Sequence, residues 1–303
     1  MRSEVTDLNY YNEIKNKLID DEIYQKTKDY SKERHKVITY FEIGKLLYEA
    51  GGKYGDHIID EYSKKLIVEV GKQYNRRTLF RMKQFYNVFS SEKVSPLGTQ
   101  LTWSHYRELL PIKDVNKINY YINLSINQNL SKRQLQERIK SKEYERLDEK
   151  TKQKLIDNQA TTVSDFIKNP ILIKNSLNHK IISEKVLKSL ILEDIDSFLK
   201  ELGQGFCYIE NEYKIKIDDT YNYIDILLYN YIYKCFVVVE LKITSLKAEH
   251  VGQITKYINY IDKNVRTISD TNTIGIILST RNNRIVLEYC SDSRIFFKEM
   301  LIV

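Results

Sequence analysis

Tyr223-Ile224-Asp225-Ile226-Leu227-Leu228-Tyr229 and Phe236-Val237-Val238-Val239-Glu240-Leu241-Lys242 are two apolar, β-branched runs that decide the fold of the second half of this chain. They are separated by Asn230-Tyr231-Ile232-Tyr233-Lys234, and the pattern predicts a β-hairpin. Each run also carries charged side chains in a segment otherwise suited to burial. Because burying a charge is costly unless it is paired, these residues are the first place to look for chemistry.

The charged side chains of the hairpin are predicted to converge. Side chains alternate across a strand, so Glu240 and Lys242 share a face. A turn centred near Ile232 places Asp225 opposite about position 238 or 239. Diagonal cross-strand neighbours lie roughly 7–8 Å apart, a gap that a divalent cation can bridge between two carboxylates. The hairpin therefore predicts a metal-dependent phosphodiesterase centre, and the alternative is a salt bridge between Lys242 and one of the two carboxylates.

The composition is that of a globular chain with about two domains. It has 303 residues, of which 42% are hydrophobic and 29% charged. No run approaches the roughly 18 apolar residues of a membrane span, and the polar start is not a signal peptide, so we expect a cytoplasmic protein with no membrane partner. The spacing of Cys207, Cys235 and Cys290 argues against a disulfide framework and a zinc site, and predicts buried free thiols.

Positive charge is concentrated in one region of the chain. The net charge is +7, and residues 71–140 alone hold 13 Lys and Arg against 4 Asp and Glu, which is +9. Clustered basic charge suits a phosphate backbone, because neutralising phosphates releases condensed counterions. A solvated basic surface is the alternative. The distribution predicts a nucleic-acid-binding region in the first half of the chain.

Residues 1–147 are predicted to form a helical domain. Apolar spacing predicts helices over 8–30, 31–50, 56–70 and 76–86, with Gly51-Gly52 ending the second and Asn75 capping the fourth. The last two helices, joined by a short turn that contains glycine, form a helix-turn-helix candidate.

Basic side chains line two of the predicted helices. Arg77, Arg81 and Gln84 share one face of the fourth helix, and a capping box of Ser131 with Gln134 opens a later basic helix. An exposed basic face that contacts nothing is the alternative. The predicted nucleic-acid-binding residues are Arg76, Arg77, Arg81, Lys132 and Arg133.

Residues 148–162 are polar and core-poor, and predict a linker to a second domain over 163–303. In that domain the patterns predict one helix over 183–202, strands over 206–210 and 213–217, the hairpin, a helix over 246–262 and a buried strand over 274–279, with further strands at 285–289 and 295–297. This order predicts an α/β sandwich with a mixed sheet.

The hairpin resembles the PDDEXK nuclease superfamily, whose signature is an Asp at a strand end and Glu-x-Lys on the next strand. The wider resemblance, over roughly residues 35–280, is to bacterial YhcG-type proteins. The segments that carry it are Glu42-Ile43-Gly44-Lys45, Asn75-Arg76-Arg77-Thr78-Leu79-Phe80-Arg81-Met82, Trp103-Ser104-His105-Tyr106-Arg107-Glu108-Leu109-Leu110, Gly203-Gln204-Gly205-Phe206 and Gly252-Gln253-x-x-x-Tyr257-x-x-Tyr260.

The resemblance implies an α+β two-domain protein, with an N-terminal all-α helix-turn-helix-like domain and a C-terminal α/β restriction-endonuclease-like domain around a mixed central sheet. It implies Asp225 and Glu240 as ligands of Mg²⁺ or Mn²⁺, Lys242 as the catalytic lysine, and a contribution from Gln253. The expected activity is metal-dependent endonucleolytic hydrolysis of DNA, with RNA as the alternative substrate. Double-strand cleavage needs two centres, which suggests a homodimer.

This sequence departs from the family pattern in one place. Where the family often carries an acidic residue on the helix before the strands, this chain reads Leu187-Lys188-Ser189-Leu190, and Glu184 or Glu193 could substitute. The departure leaves a second hypothesis open, namely a catalytically impaired nucleic-acid-binding or complex-assembly protein that keeps the nuclease fold.

Overall fold

The computed structural model describes residues 2–26, 31–90, 101–281, 286 and 292–303. Its contacts divide the chain into two compact units, Met1–Tyr144 and Glu145–Val303. Within the described ranges, no helix is both long and apolar enough to cross a bilayer.

The first unit is helical. Its helices are α1 (Arg2–Gln25), α2 (Lys32–Tyr54), α3 (His57–Glu69), α4 (Arg76–Phe89), α5 (Trp103–Leu109), α6 (Val115–Asn127) and α7 (Lys132–Lys140). The predicted caps are confirmed, because Asn75 Oδ1 accepts a hydrogen bond from Thr78 N at 3.2 Å, and Ser131 and Gln134 form a capping box.

Helix α2 ends later than predicted. It continues through Gly51 and Gly52 to Tyr54, and the chain turns at Gly55, whose φ of 84° lies in the region that favours glycine. Gly51 is buried inside the helix, so a glycine pair was not sufficient to mark the end.

The core of the first unit is rich in aromatic side chains. Trp103 on α5 packs edge-on against Tyr40 of α2 and Phe85 of α4, with ring centroids 5.1 and 5.2 Å apart. Gln84 Nε2 donates to the Leu110 carbonyl at 2.9 Å. Gln84 therefore helps to hold the end of α5 against α4, which differs from its predicted place on a groove-reading face.

The second unit contains helices on both faces of a mixed sheet. Its elements are α8 (Glu149–Ile156), β1 (Ile171–Ile173), α9 (Glu184–Glu193), α10 (Ile195–Leu202), β2 (Phe206–Ile217), β3 (Thr220–Asn230), β4 (Cys235–Ser245), α11 (Ala248–Asn264), β5 (Ile274–Arg281) and β6 (Ile295–Ile302). The strand order is β1-β6-β5-β4-β3-β2. Strands β2, β3 and β4 are antiparallel neighbours, whereas β4, β5, β6 and β1 run parallel, so the predicted mixed sheet is confirmed.

Strand alternation on β4 separates two hydrophobic cores. Val237, Val239 and Leu241 pack in one core with α9 and α10, whereas Val238 packs in the other with α11. Each face of the hairpin is therefore covered by helices, which explains why β4 reads as an almost continuous apolar run.

Three segments of the second unit differ from the predicted elements. Residues 148–157 of the predicted linker include helix α8, and Asp148 pairs with Lys298 of β6 at 3.1 Å. The predicted helix over 183–202 is two helices, because Asp194 leaves helical geometry and caps α10 through Ser197 N. Residues 206–217 form one strand with an irregularity between Tyr208 and Glu210.

Two smaller predictions also have an outcome. Cys235 is a buried free thiol as expected, whereas Cys207 is exposed, and Cys290 lies outside the described residues. The strand predicted at 285–289 lies outside them too, apart from Val286.

Candidate functional site

The candidate site lies where β3 and β4 stop pairing. The ladder between them runs from Asn230 opposite Cys235 to Ile226 opposite Val239. Beyond it, Asp225 Oδ2 accepts a hydrogen bond from Leu241 N at 2.9 Å. A carboxylate thus takes the place of a backbone carbonyl at the point where the strands separate, and this contact fixes the orientation of Asp225.

The register of the hairpin corrects the predicted pairing of Asp225. The same register continued by one residue places Asp225 opposite Glu240, whereas the prediction was 238 or 239. The difference arises in the turn, where Asn230 Oδ1 accepts hydrogen bonds from Ile232 N and Tyr233 N at 3.0 and 3.1 Å. This side-chain turn leaves four residues between the last paired positions, Asn230 and Cys235.

Glu240 and Lys242 form a pair on one face of β4, as alternation predicts. Lys242 Nζ donates to Glu240 Oε1 at 2.8 Å. The residue Glu240 is 1% exposed, and its second oxygen, Oε2, is buried with no hydrogen-bond partner among the described residues. One strongly polar atom at the site is therefore left unsatisfied.

Burial raises the pKa of Glu240 to about 7, and the charge of Asp225 acts in the same direction. Burial alone would lower the pKa of Lys242, but the hydrogen bond to Glu240 and the negative charges of Glu240, Glu184 and Asp225 outweigh it and raise the pKa. Lys242 is therefore held as an ammonium beside a carboxyl group that is reluctant to ionise.

Lys188 of α9 reaches the same group from another element. Its Nζ lies 2.8 Å from Asp225 Oδ1 and 2.7 Å from Glu212 Oε1 of β2. The preceding residue, Leu187, is fully buried in the core against the sheet, so the backbone that carries Lys188 is fixed by packing. Both oxygens of Asp225 are therefore engaged, one by an ammonium and one by a backbone N–H.

Helix α11 contributes Tyr257 and, through it, Gln253. Gln253 Nε2 donates to Tyr257 Oη at 3.1 Å. Burial raises the pKa of Tyr257, and the charges of Glu240 and Asp225 raise it further, so the phenol lies within electrostatic reach of both carboxylates. Gln253 therefore belongs to the surroundings of the site, where its contact is with Tyr257.

The carboxylates of Asp225 and Glu240 are the candidate ligands for a cation at this site. No group of three or more His, Cys, Asp or Glu side chains in the described ranges is arranged to hold a metal ion. The buried, unpartnered Oε2 of Glu240 and the repulsion between Glu240 and Asp225 both suit a hard, oxygen-preferring cation. The donor chemistry fits such an ion, with Lys188 already bound at one of the Asp225 oxygens.

The five predicted nucleic-acid-binding residues of the first unit fall into two groups. Arg76 pairs with Asp60 and lies over the Phe80 ring, while Lys132 pairs with Glu108 and Arg133 with Glu137. The other two, Arg77 and Arg81, form no ion pair within the described part of the chain.

The charges of two other arginines act on Arg81, and Glu108 acts in the opposite direction. Burial lowers the pKa of Arg81, and the charges of Arg77 and Arg107 lower it further. The packing of α5 against α4 brings Arg107 of α5 to this cluster.

Sequence reasoning missed Glu212 and the contact of Lys188 with Asp225. Glu212 stands at a φ of 53° in β2, where strand alternation does not apply, so no period-2 pattern could assign its face. Glu184, one of the two acidic residues that could substitute at the position of Lys188, lies close enough for its charge to act on Glu240 and Lys242.

Two segments of this chain match models of known protein families. Residues 164–298 match the YhcG PDDEXK nuclease domain, and residues 10–146 match the DUF1016 N-terminal domain. A protein of Escherichia coli (strain K12) described as "Putative nuclease YhcG" is 24% identical over 282 residues, covering 79% of this chain and 75% of that protein.

Two solved structures show a weaker likeness. A repair endonuclease from Pyrococcus abyssi has 19% sequence identity and a TM-score of 0.30, covering 40% of this chain and 48% of that one. A complex of EndoMS with dsDNA has 17% identity and a TM-score of 0.31, covering 40% and 47%. This chain spans about half the length of either.

Proposed function

We propose that this chain, which belongs to the YhcG-type proteins with a PDDEXK nuclease domain, hydrolyses phosphodiester bonds in DNA with the help of a divalent cation. The observation that carries the proposal is the group of Asp225, Glu240 and Lys242 at the open end of the hairpin, where one oxygen of Glu240 is buried and unsatisfied. A salt bridge with a purely structural role would not explain why a buried carboxylate oxygen lacks a hydrogen-bond partner.

Asp225 and Glu240 would hold the cation, Mg²⁺ or Mn²⁺. Carboxylate oxygens are the ligands that these ions prefer. When bound, such an ion polarises the phosphoryl oxygen and lowers the pKa of an attacking water.

Lys242 and helix α11 supply the remaining chemistry. Lys242 is 14% exposed, stays protonated, and donates to Glu240, which leaves further N–H groups to hold a phosphate oxygen as negative charge develops on it. Tyr257, on which the charges of Glu240 and Asp225 act, would orient water or a leaving oxygen together with Gln253. In this assignment Lys242 contacts the substrate, and Gln253 is a positioning residue that acts through Tyr257.

The first unit is proposed to bind the DNA backbone. Arg77 and Arg81 are the strongest candidates, since their charges are not consumed by ion pairs in the described residues, and region 71–140 carries the net positive charge that backbone binding needs. Arg76, Lys132 and Arg133 hold partners already and are expected to contribute by their field more than by direct contact. A helix-turn-helix role for α3 and α4 belongs to the same proposal.

The test is cleavage of supercoiled plasmid DNA by the full chain. We expect nicking or cutting with Mg²⁺ or Mn²⁺, none with EDTA, and none in Asp225→Ala or Glu240→Ala, while both variants still bind DNA. Glu210→Ala, which removes an exposed carboxylate of β2, is the matched control and should cleave normally. Cleavage that persists in both site variants would contradict the assignment, and competition with RNA would reveal an RNA substrate.

The Lys188–Asp225 pair favours one second candidate function. A chain whose site is closed by its own lysine could bind nucleic acid or assemble complexes without turnover. DNA binding with neither cleavage nor binding of Mg²⁺ or Mn²⁺, in a folded protein, would select this function.

A further inference from the structure

Lys188 forms ion pairs with two carboxylates, and these differ in their exposure to solvent. The Lys188 side chain is 16% exposed and that of Asp225 is 20% exposed, whereas Glu212 is 58% exposed. Burial opposes the charge of Lys188, but its hydrogen bonds to Asp225 and Glu212 outweigh burial and raise its pKa. The ammonium is thus a fixed positive charge between an inner and an outer carboxylate.

The two carboxylates of the candidate centre, Asp225 and Glu240, differ in how many of their oxygens have a partner. Asp225 is neutralised by Lys188 at Oδ1 and by the Leu241 N–H at Oδ2. Glu240 has Lys242 at Oε1 and no partner at Oε2 among the described residues. A cation that used both carboxylates would meet an open oxygen on Glu240 and an occupied one on Asp225.

We propose that Lys188 is the residue that sets the cation affinity of this centre, because its ammonium occupies the Asp225 oxygen that a divalent cation would share. Glu212 provides the lysine with a second partner, so Lys188 can leave Asp225 without becoming an unpaired, partly buried charge. This inference rests on the proposed function, since it concerns the same carboxylates, but it makes a separate statement about which side chain limits cation binding.

The position of Glu212 distinguishes this role from a purely structural ion pair. If Lys188 only fastened α9 to the sheet, loss of the lysine would loosen the site and weaken cation binding. If Lys188 competes for Asp225, its loss strengthens binding. In that case removal of the Glu212 carboxylate should weaken cation binding. Of the two carboxylates that pair with Lys188, only Asp225 would then remain, and the lysine would stay on it.

The experiment is a calorimetric titration of the full-length chain with Mn²⁺ in the absence of DNA. We expect Lys188→Gln to bind about tenfold more tightly than the wild type, since a charge 2.8 Å from a carboxylate oxygen is removed. Lys174→Gln is the matched control, because Lys174 also forms a 2.9 Å ion pair, with Asp194, away from the hairpin carboxylates, and it should bind as the wild type does.

Glu212→Gln gives the opposite arm of the same experiment. It should bind Mn²⁺ about threefold more weakly in the wild-type background and show little effect in the Lys188→Gln background, so that the two substitutions couple. Without that coupling, the weakening would reflect only the removal of a nearby negative charge, and the exchange role of Glu212 would be overturned.

The outcomes separate the two proposals. Equal or weaker binding by Lys188→Gln, with wild-type melting behaviour, overturns the inference and leaves the proposed function standing. If neither the wild type nor Lys188→Gln nor the more conservative Lys188→Met binds Mn²⁺ while folded, the cation-dependent function fails, and the inference fails with it. Tight binding by Lys188→Gln alone supports the inference most strongly.

Discussion

Glu240 combines burial with a nearby like charge, and its pKa is raised from an ordinary value of 4.5 to about 7. A carboxyl group whose folded-state pKa is raised is stabilised in its neutral form. Its contribution to stability is therefore fully present below about pH 4.5 and is lost as the pH rises through about 7. In the absence of divalent cations, the ionised carboxylate costs the folded state free energy at neutral and alkaline pH.

Replacement of Glu240 by Gln tests this pH dependence. Relative to the wild type, Glu240→Gln should gain roughly 2 kcal/mol in the free energy of unfolding between pH 5 and pH 8, because the amide cannot ionise. Urea unfolding of the cation-free protein, followed by circular dichroism at both pH values, measures the difference. Glu210→Gln, at an exposed position, serves as control, and parallel pH profiles for Glu240→Gln and the wild type would contradict the raised pKa.

Only some of the residue contacts in the candidate site can be predicted from the sequence. The Glu240–Lys242 contact follows from alternation along a single strand, so it was predictable. The Lys188–Asp225 contact depends on how α9 lies on the sheet, and a lysine in a helix pattern gives no sign of it. Local periodicity predicts neighbours within an element and does not predict neighbours from different elements.

At the scale of elements, α2 and α4 approach each other closely at Gly44. A Cβ atom at Gly44 would lie 2.2 Å from the Met82 carbonyl oxygen, which is backbone and cannot swing aside. At Gly52, on the same helix, a Cβ atom would meet nothing within 4 Å. A side chain at position 44 would therefore clash with α4, whereas a side chain at position 52 has room.

Alanine at these two positions should have effects of opposite sign. Gly44→Ala is expected to destabilise the first unit by about 2–3 kcal/mol through overpacking. Gly52→Ala should stabilise it by roughly 0.5–1 kcal/mol, because an exposed helical glycine costs that much. Trp103, the single tryptophan of the chain, lies in this core, so urea unfolding followed by its fluorescence reports on this unit. Similar shifts for both variants would contradict the close helix approach.

Helix α4 carries the prediction for nucleic-acid binding. The double substitution Arg77→Gln with Arg81→Gln should weaken DNA binding and reduce the slope of log K against log salt by about 2, since each phosphate that is no longer neutralised lowers the slope by roughly 0.9. Arg76→Gln is the matched control and should leave the slope unchanged, because Arg76 is engaged by Asp60. Fluorescence anisotropy across a salt series measures all three proteins, and an unchanged slope in the double variant would exclude this face.

The elements that the sequence failed to predict share a physical cause. The break at Asp194 falls inside an unbroken apolar period, and β1 is only three residues long. Neither feature changes hydrophobic periodicity over a window long enough to be recognised. The mixed sheet and the hairpin were predictable, because their strands are long, β-branched and bounded by turns.

For the whole molecule, contacts divide the chain between Tyr144 and Glu145, close to the boundary of 147 drawn from composition. We expect residues 145–303 to fold alone and to retain cation-dependent cleavage at low salt, since Asp225, Glu240 and Lys242 all lie within them. DNA affinity should fall, and its salt dependence should become shallower, because the arginine-rich helix is missing. Circular dichroism, cleavage and anisotropy of the fragment test this, and a fragment that does not fold would show that the boundary is not a domain boundary.

The two edge strands of the described sheet are both poor partners for an additional strand. One edge is β1, three residues long, and the other is β2, which is irregular at Tyr208, turns at a positive φ at Glu212, and exposes Lys214 and Lys216. Short, bulged and lysine-bearing edges resist the addition of another strand. A further strand is therefore disfavoured at either edge of the described sheet, which protects the sheet from extension into fibres.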